Sequence, residues 1–99
     1  MNHATHWTVP ADHPAFTGHF PGTPILPGVV LLDTALQIIT DVCKLDLYEI
    51  SSVKFTSPVG PGCELTIVHS RSDNGTIRFD IMAGICKVAS GSIVPKLIT

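Results

Sequence analysis

A chain of 99 residues makes one domain, and a monomer of that size buries a limited share of its apolar surface, so support from oligomerisation is expected. Hydrophobic residues make up 44% and charged ones only 14%, which excludes a disordered chain and favours a buried subunit interface. The net charge is −2, and every Lys and Arg lies at or after Lys44, which leaves nucleic acid no basic footprint to bind.

Taken in chain order, Thr5 to Val9 alternates enough for a first strand, which Pro10 and the turn Ala11-Asp12-His13-Pro14 end. The stretch Gly18 to Gln37, GHFPGTPILPGVVLLDTALQ, follows. Its first half sets Pro21, Pro24, Pro27, Gly18, Gly22 and Gly28 around His19, and so many breakers predict a stiff, irregular loop. From Gly28 on the breakers disappear and an apolar helical run begins, with Asp33 and Gln37 four residues apart on one face. At about 100° per residue, Leu31, Leu32, Ala35, Leu36, Ile38, Ile39 and Val42 cover a broad apolar face. Asp33, Thr34, Gln37, Thr40, Asp41 and Lys44 fall on the other, so the helix is expected to be enclosed on its apolar side.

After Lys44 the pattern becomes β-rich. Ile50 to Ser57 alternates through Val53 and Phe55, the PVGPG of Pro58 to Gly62 turns the chain, and Cys63 to Ser70 is the next strand. Asn74-Gly75 predicts a type I′ hairpin, since both residues tolerate positive φ. Ile77, Phe79, Ile81, Ala83 and Ile85 alternate over a long strand, and Ser90-Gly91 is expected to turn it into a last strand through Ile93 and Val94. One helix with a short strand before it and four antiparallel strands after it predicts an α+β fold in which a curved sheet wraps the helix.

Three cysteines, Cys43, Cys63 and Cys86, are odd in number and lack C-x-x-C spacing, so neither a disulfide framework nor a zinc site is indicated. His3, His6, His13 and His69 form no helical i, i+4 pair and read as surface residues. The first 43 residues hold no Lys or Arg, which argues against a signal or transit peptide, and no apolar run approaches eighteen residues, so a cytoplasmic protein is expected. By spacing alone His19 reads as a loop histidine bonded to a backbone carbonyl. Asp33 reads equally well as a solvated residue on a polar arc, and Gly28 as a helix-start glycine.

The run GHFPGTPILPGVVLLD resembles the signature of the hot-dog-fold 3-hydroxyacyl-[acyl-carrier-protein] dehydratases. There a His-Phe-Pro-Gly loop leads to Pro-Gly-Val and then to a Glu or Asp in the central helix, and the fourteen residues from His19 to Asp33 match the family offset. ADHPAF, Ala11 to Phe16, and the short length resemble the compact branch of aryl-polyene clusters. SSVKFTSPVGPGCELTI is similar to the family's strand-turn-strand, so the likeness covers nearly the whole chain as a single hot-dog domain, 1–99. The N-terminal strand and helix segment of longer members is missing, which puts their higher oligomeric states in doubt here.

The resemblance implies conversion of 3-hydroxyacyl thioesters of acyl carrier protein or coenzyme A to trans-2-enoyl thioesters, with no cofactor or metal. It assigns His19, neutral near pH 7 given an ordinary pKa of about 6.5, as the base at C2. The Gly28 N–H would hold the thioester oxygen, and Asp33 would bind or protonate the departing hydroxyl, directly or through a water. Gln37 would orient Asp33 or that water, and Phe20, Leu26 and Val29, with Phe16 and Ile25 nearby, would line an acyl tunnel. In the family the histidine and the carboxylate come from different subunits, so a homodimer, or an assembly of dimers, joined edge to edge is implied. Asp in place of the commoner Glu resembles the isomerising branch. Two other functions share the fold: a thioesterase, which does not generally carry this loop, and a non-catalytic acyl-binding subunit, which would keep tunnel and dimer without turnover.

Overall fold

A computed structural model describes residues 2–12 and 25–96. The elements run β1 (Asn2–Thr8), α1 (Gly28–Cys43), β2 (Tyr48–Phe55), β3 (Glu64–Arg71), β4 (Ile77–Ala83) and β5 (Cys86–Pro95). The strands form one antiparallel sheet in the order β1-β3-β4-β5-β2, which leaves β1 and β2 as its edges. Strand, helix and four further strands is the arrangement the sequence pattern implies.

Alternation decides which face is buried. Leu65, Ile67 and His69 of β3 and Ile77, Phe79 and Ile81 of β4 all point to one side. Pairing puts Ile67 beside Ile81 and Ile81 beside Ala89, so the apolar rows continue across the sheet. Against this face α1 buries Leu31, Ala35, Leu36 and Ile39, and Val9, Leu26 and Val59 join the same core. Burying side chains of this size contributes about 1.5–3 kcal/mol each. Val42 falls within the buried arc by angle yet is 44% exposed, because it sits in the last turn of α1, past the buried residues. That turn ends at Lys44, whose left-handed backbone (φ 55) brings the next N–H, that of Leu45, to the carbonyl of Thr40 (3.0 Å).

Three local expectations are corrected. Gly75 has positive φ (91) but Asn74 does not, so the β3–β4 connection is not a type I′ turn. The Gly75 N–H donates to the Ser72 carbonyl (2.9 Å), which closes a four-residue turn ending in a left-handed glycine. Asn74 Oδ1 accepts the N–H of Thr76 (3.0 Å), and this local bond holds Asn74 out of the conformation that a type I′ turn would need.

The second correction is the last hairpin. It closes at Gly84-Ile85, where Ala83 pairs with Cys86 and Gly84 supplies the positive φ (63), leaving Ile85 fully exposed at the tip. Ser90-Gly91 lies inside β5. Gly91 pairs with Phe79 on one side and Val53 on the other, and a Cβ there would lie 2.8 Å from Phe79 Cζ and against the carbonyl of Ser52. The glycine is there for close approach, not for turning. Register shifts between Ile50 and Ser52 in β2 and between Ile81 and Met82 in β4 mark irregularities of the kind that bend a sheet.

The third concerns His69, which is buried, not on the surface, because it shares the inward phase of Leu65 and Ile67. Its ring stacks on His3 of β1, with centroids 5.1 Å apart, and neither ring nitrogen finds a hydrogen-bond partner among the described residues. Burial, and secondarily the neighbouring His3, hold its pKa below the ordinary histidine value.

Gly91→Ala should lower stability by about 1–3 kcal/mol, the usual cost of overpacking. It would be read as a shift in urea midpoint at constant slope, and an unchanged midpoint would show that the sheet absorbs the methyl group freely. For His69 the unfolded chain binds the proton more readily than the folded one. Stability therefore falls as pH drops below about 6.5 and levels off below the folded pKa. His69→Phe should remove that part of the loss when midpoints at about pH 7.5 and about pH 5 are compared, whereas an equal loss in both proteins would place the acid sensitivity elsewhere.

Candidate active site

The start of α1 is unusually bare. Its N-cap residue is Pro27, which has no side-chain donor or acceptor to offer, and the first turn holds no acidic residue. The Pro27 carbonyl accepts the N–H of Val30 (3.0 Å) and of Leu31 (3.1 Å), while the N–H groups of Gly28 and Val29 have no backbone acceptor among the described residues. Donors without a backbone acceptor among the described residues, at the positive end of a sixteen-residue helix, suit an oxygen that carries or gains negative charge. The loop that delivers the helix is pinned from behind, since Leu26 N–H donates to the Val59 carbonyl (2.7 Å).

Beside these donors lies a hollow of about 300 Å³, walled by Ile25, Leu26, Gly28, Leu31, Phe55 and Val59. Leu26, Leu31 and Val59 are buried and form its apolar floor, while the Phe55 ring stands half-exposed at its rim. A larger hollow of about 690 Å³ lies on the outer, polar face of the sheet, among Ser52, Lys54, Arg78, Asp80, Ser90 and Ser92. It is away from the helix N-terminus and lined by hydroxyls and charges, including the Lys87–Asp80 pair at 3.3 Å, so it offers an acyl chain nothing.

Of the residues singled out in the sequence, Gly28 and Leu26 meet at the hollow, together with Ile25. Val29 lies outside its lining and is 72% exposed. Asp33 and Gln37 are exposed, one turn apart, and continue the same stripe from Val29 along the helix. At 100° per residue Asp33 stands about 140° around the axis from Gly28, so a chain's own carboxylate does not face its own hollow. His19, Phe16 and Phe20 lie outside the described residues. Phe55, Thr56 and Val59 belong to the site without having been marked by the motif. Phe55 shows only as one apolar position of an alternating strand, and nothing local signals that its ring reaches a glycine in a different element.

Cys43 and Cys63 are half-buried, Cys86 is exposed, and all three are free. Among the described residues no group of His, Cys, Asp and Glu is arranged to hold a metal ion. No helix among them is long and apolar enough to cross a membrane.

A lone helix seated on an antiparallel sheet of order β1-β3-β4-β5-β2, with a bare helix N-terminus opening on an apolar hollow, defines a hot-dog-fold protein. Within that class the profile of the ApeI-like family, described as ApeI dehydratase, matches residues 1–92, and the chain belongs to this family. An uncharacterized protein from Erwinia carotovora subsp. atroseptica is similar in structure, with a TM-score of 0.79 and 28% identity over 98% of this chain and 84% of that one. The dehydratase heterocomplex ApeI:P from Xenorhabdus doucetiae matches with a TM-score of 0.72 over 94% of this chain and 85% of its own, and at 24% identity that likeness is one of fold. The 3-hydroxyacyl-[acyl-carrier-protein] dehydratase FabZ of Rhizobium rhizogenes (strain K84 / ATCC BAA-868) is 35% identical over 79 residues, 70% of this chain. The chain spans about half the length of that relative, 50% of it.

Proposed function

We propose that the protein removes water from 3-hydroxyacyl thioesters, carried on acyl carrier protein or coenzyme A, to give trans-2-enoyl thioesters. The observation that carries this reading is the Gly28 N–H, without a backbone acceptor among the described residues and beside a hollow with an apolar floor, in a chain whose His19 and Asp33 keep the dehydratase spacing. The name of the Rhizobium relative supports the same substrate class.

The C2 proton of a thioester is weakly acidic, and removing it places negative charge on the thioester oxygen. The Gly28 N–H donates to that oxygen and, aided by the helix dipole, is worth most as the charge grows. His19 takes the C2 proton, the C2–C3 double bond forms as the C3–O bond breaks, and the hydroxyl leaves as water with a proton from the Asp33 carboxyl group. One proton has then moved from Asp33 to His19, and solvent returns it. The elimination is redox-neutral and asks for no hydride carrier. A cytoplasmic location goes with carrier-linked intermediates of this kind.

The site is completed by a second copy in a homodimer. Asp33 points away from its own Gly28, which supports a carboxylate supplied from across the interface. Edge strand β2 carries exposed Ile50 and Phe55, 46% and 47%, as expected of a strand that a partner covers. The Xenorhabdus heterocomplex supports a second arrangement, in which a different subunit completes the site and the isolated homodimer is silent until that subunit is added.

Purified protein should hydrate trans-2-enoyl thioesters, followed as loss of enoyl absorbance, and His19→Ala or Asp33→Asn should cost about 100-fold or more, as expected for a general base or acid. A folded protein that turns over none of a series of carrier-linked and coenzyme-A-linked substrates, with or without a companion subunit, would sink the reading. Refolding the His19→Ala and Asp33→Asn chains together should restore activity, because about half of the dimers are then mixed and about a quarter of all sites have both groups. No recovery, despite mixed dimers seen by mass spectrometry, would place both residues in one subunit's site.

A further inference from the structure

We infer that Phe55 is the specificity-determining wall of the acyl site, and that with Leu26, Leu31 and Val59 it restricts the protein to short acyl chains. The inference rests on the dehydratase reading for the identity of the ligand, but the wall is a matter of geometry.

Gly28 has no positive φ, so its backbone does not ask for glycine. A Cβ at Gly28 would instead stand 3.2 Å from Cε1 and Cζ of Phe55 and 3.3 Å from Cδ1, which is tighter than ordinary van der Waals contact. The ring therefore lies over the first residue of the helix, on the side where the hollow opens. The oxygen that the Gly28 N–H would receive and the ring that borders the hollow belong to one small space.

The backbone next to Phe55 is fixed. Thr56 N–H and Ser57 N–H both donate to the Val88 carbonyl, at 2.9 and 3.3 Å, and Thr56 Oγ1 donates to the Lys87 carbonyl at 2.7 Å. The strand end is held in place, so any adjustment to a ligand falls on the Phe55 side chain, which is 47% exposed within the single chain. The floor is equally firm, since Leu26, Leu31 and Val59 are at most 3% exposed and belong to the core. With a fixed floor and Phe55 as the aromatic wall among the described residues, the volume of about 300 Å³ is at the small end of ligand pockets. Its floor is hydrocarbon, from Leu26, Leu31 and Val59, with Thr56 and Ser57 at one side, which suits the start of an alkyl chain beside a polar thioester.

A wall of this kind discriminates by size, and differences in fit at such a pocket change kcat/KM by about tenfold or more between substrates. The test compares but-2-enoyl, oct-2-enoyl and dodec-2-enoyl coenzyme A as substrates of the wild type, Phe55→Ala and Phe55→Trp. Calorimetric binding of butyryl and dodecanoyl coenzyme A is measured in parallel as a readout that needs no turnover. The wild type should prefer the four-carbon chain. Phe55→Ala should raise the twelve-to-four-carbon ratio of kcat/KM and of affinity by about tenfold or more, and Phe55→Trp should lower the eight-to-four-carbon ratio.

A change in Phe55→Ala that is the same for every chain length would overturn the inference and leave the ring as a mere support of the helix start. Turnover by the wild type with no change of ratio in either variant would overturn it as well, while the dehydratase reading stood. Absence of turnover together with chain-length-dependent binding that shifts with Phe55 would have the opposite meaning: the wall is confirmed and the dehydratase reading is lost. If Phe55→Ala does not fold, Phe55→Leu takes its place in the same comparison, and unchanged ratios there and in Phe55→Trp count against the inference.

Discussion

The contact between the apolar stripe of α1 and the inner face of the sheet is the constraint on which the rest of the molecule depends. A helix of sixteen residues is marginal in isolation, and this one lacks a side-chain cap, an acidic first turn and a basic last turn. What holds it is the packing of Leu31, Ala35, Leu36 and Ile39 against a face made by Ile67, Ile77, Ile81 and Ile93. Stability borrowed from the sheet leaves the helix start free of capping groups. A serine or aspartate at position 27 would have strengthened the helix locally by about 1 kcal/mol and occupied donors that a ligand oxygen needs. The helix start is thus held from behind, through the core and the Leu26–Val59 bond.

The same helix separates two tasks by angle. Its sheet-facing side carries Gly28 and Leu31 to the hollow, while Val29, Asp33 and Gln37 run along the opposite side, exposed. A single chain therefore carries Gly28 and Asp33 to two different places. In the proposed homodimer this division would let one helix serve two sites.

Much of this was legible in the sequence because alternation and breaker residues report local geometry directly. The loss of proline and glycine after Gly28 marked the helix, and the period-2 pattern marked each strand. The failures share a cause, which is that one residue type answers to two constraints. Gly84 and Gly91 look alike in sequence, yet one supplies the positive φ of a hairpin and the other makes space for Phe79. Ile85 prolongs the alternation of β4 although it belongs to the turn, so periodicity alone overran the strand end. His69 was read as a surface residue by its chemistry, whereas its phase within β3 sends it inward. At the hollow, Gly28 and Leu26 were legible through a motif contained in one continuous stretch. Phe55 was not, because its meeting with Gly28 depends on where the sheet's edge strand ends, and that is a property of the assembled fold.

The two ends of α1 are held very differently. The first turn is bound by the Val59 carbonyl behind it, the Phe55 ring beside it and the core beneath it. The last turn has an exposed Val42 and closes on Lys44 in a left-handed conformation that costs a side-chain-bearing residue about 1 kcal/mol. Fraying is therefore polarised along the helix axis. Thermal opening consumes the C-terminal turn first and travels toward Gly28, so amide exchange slows from Cys43 back to Leu31, and the end that borders the hollow is the last part of the helix to melt.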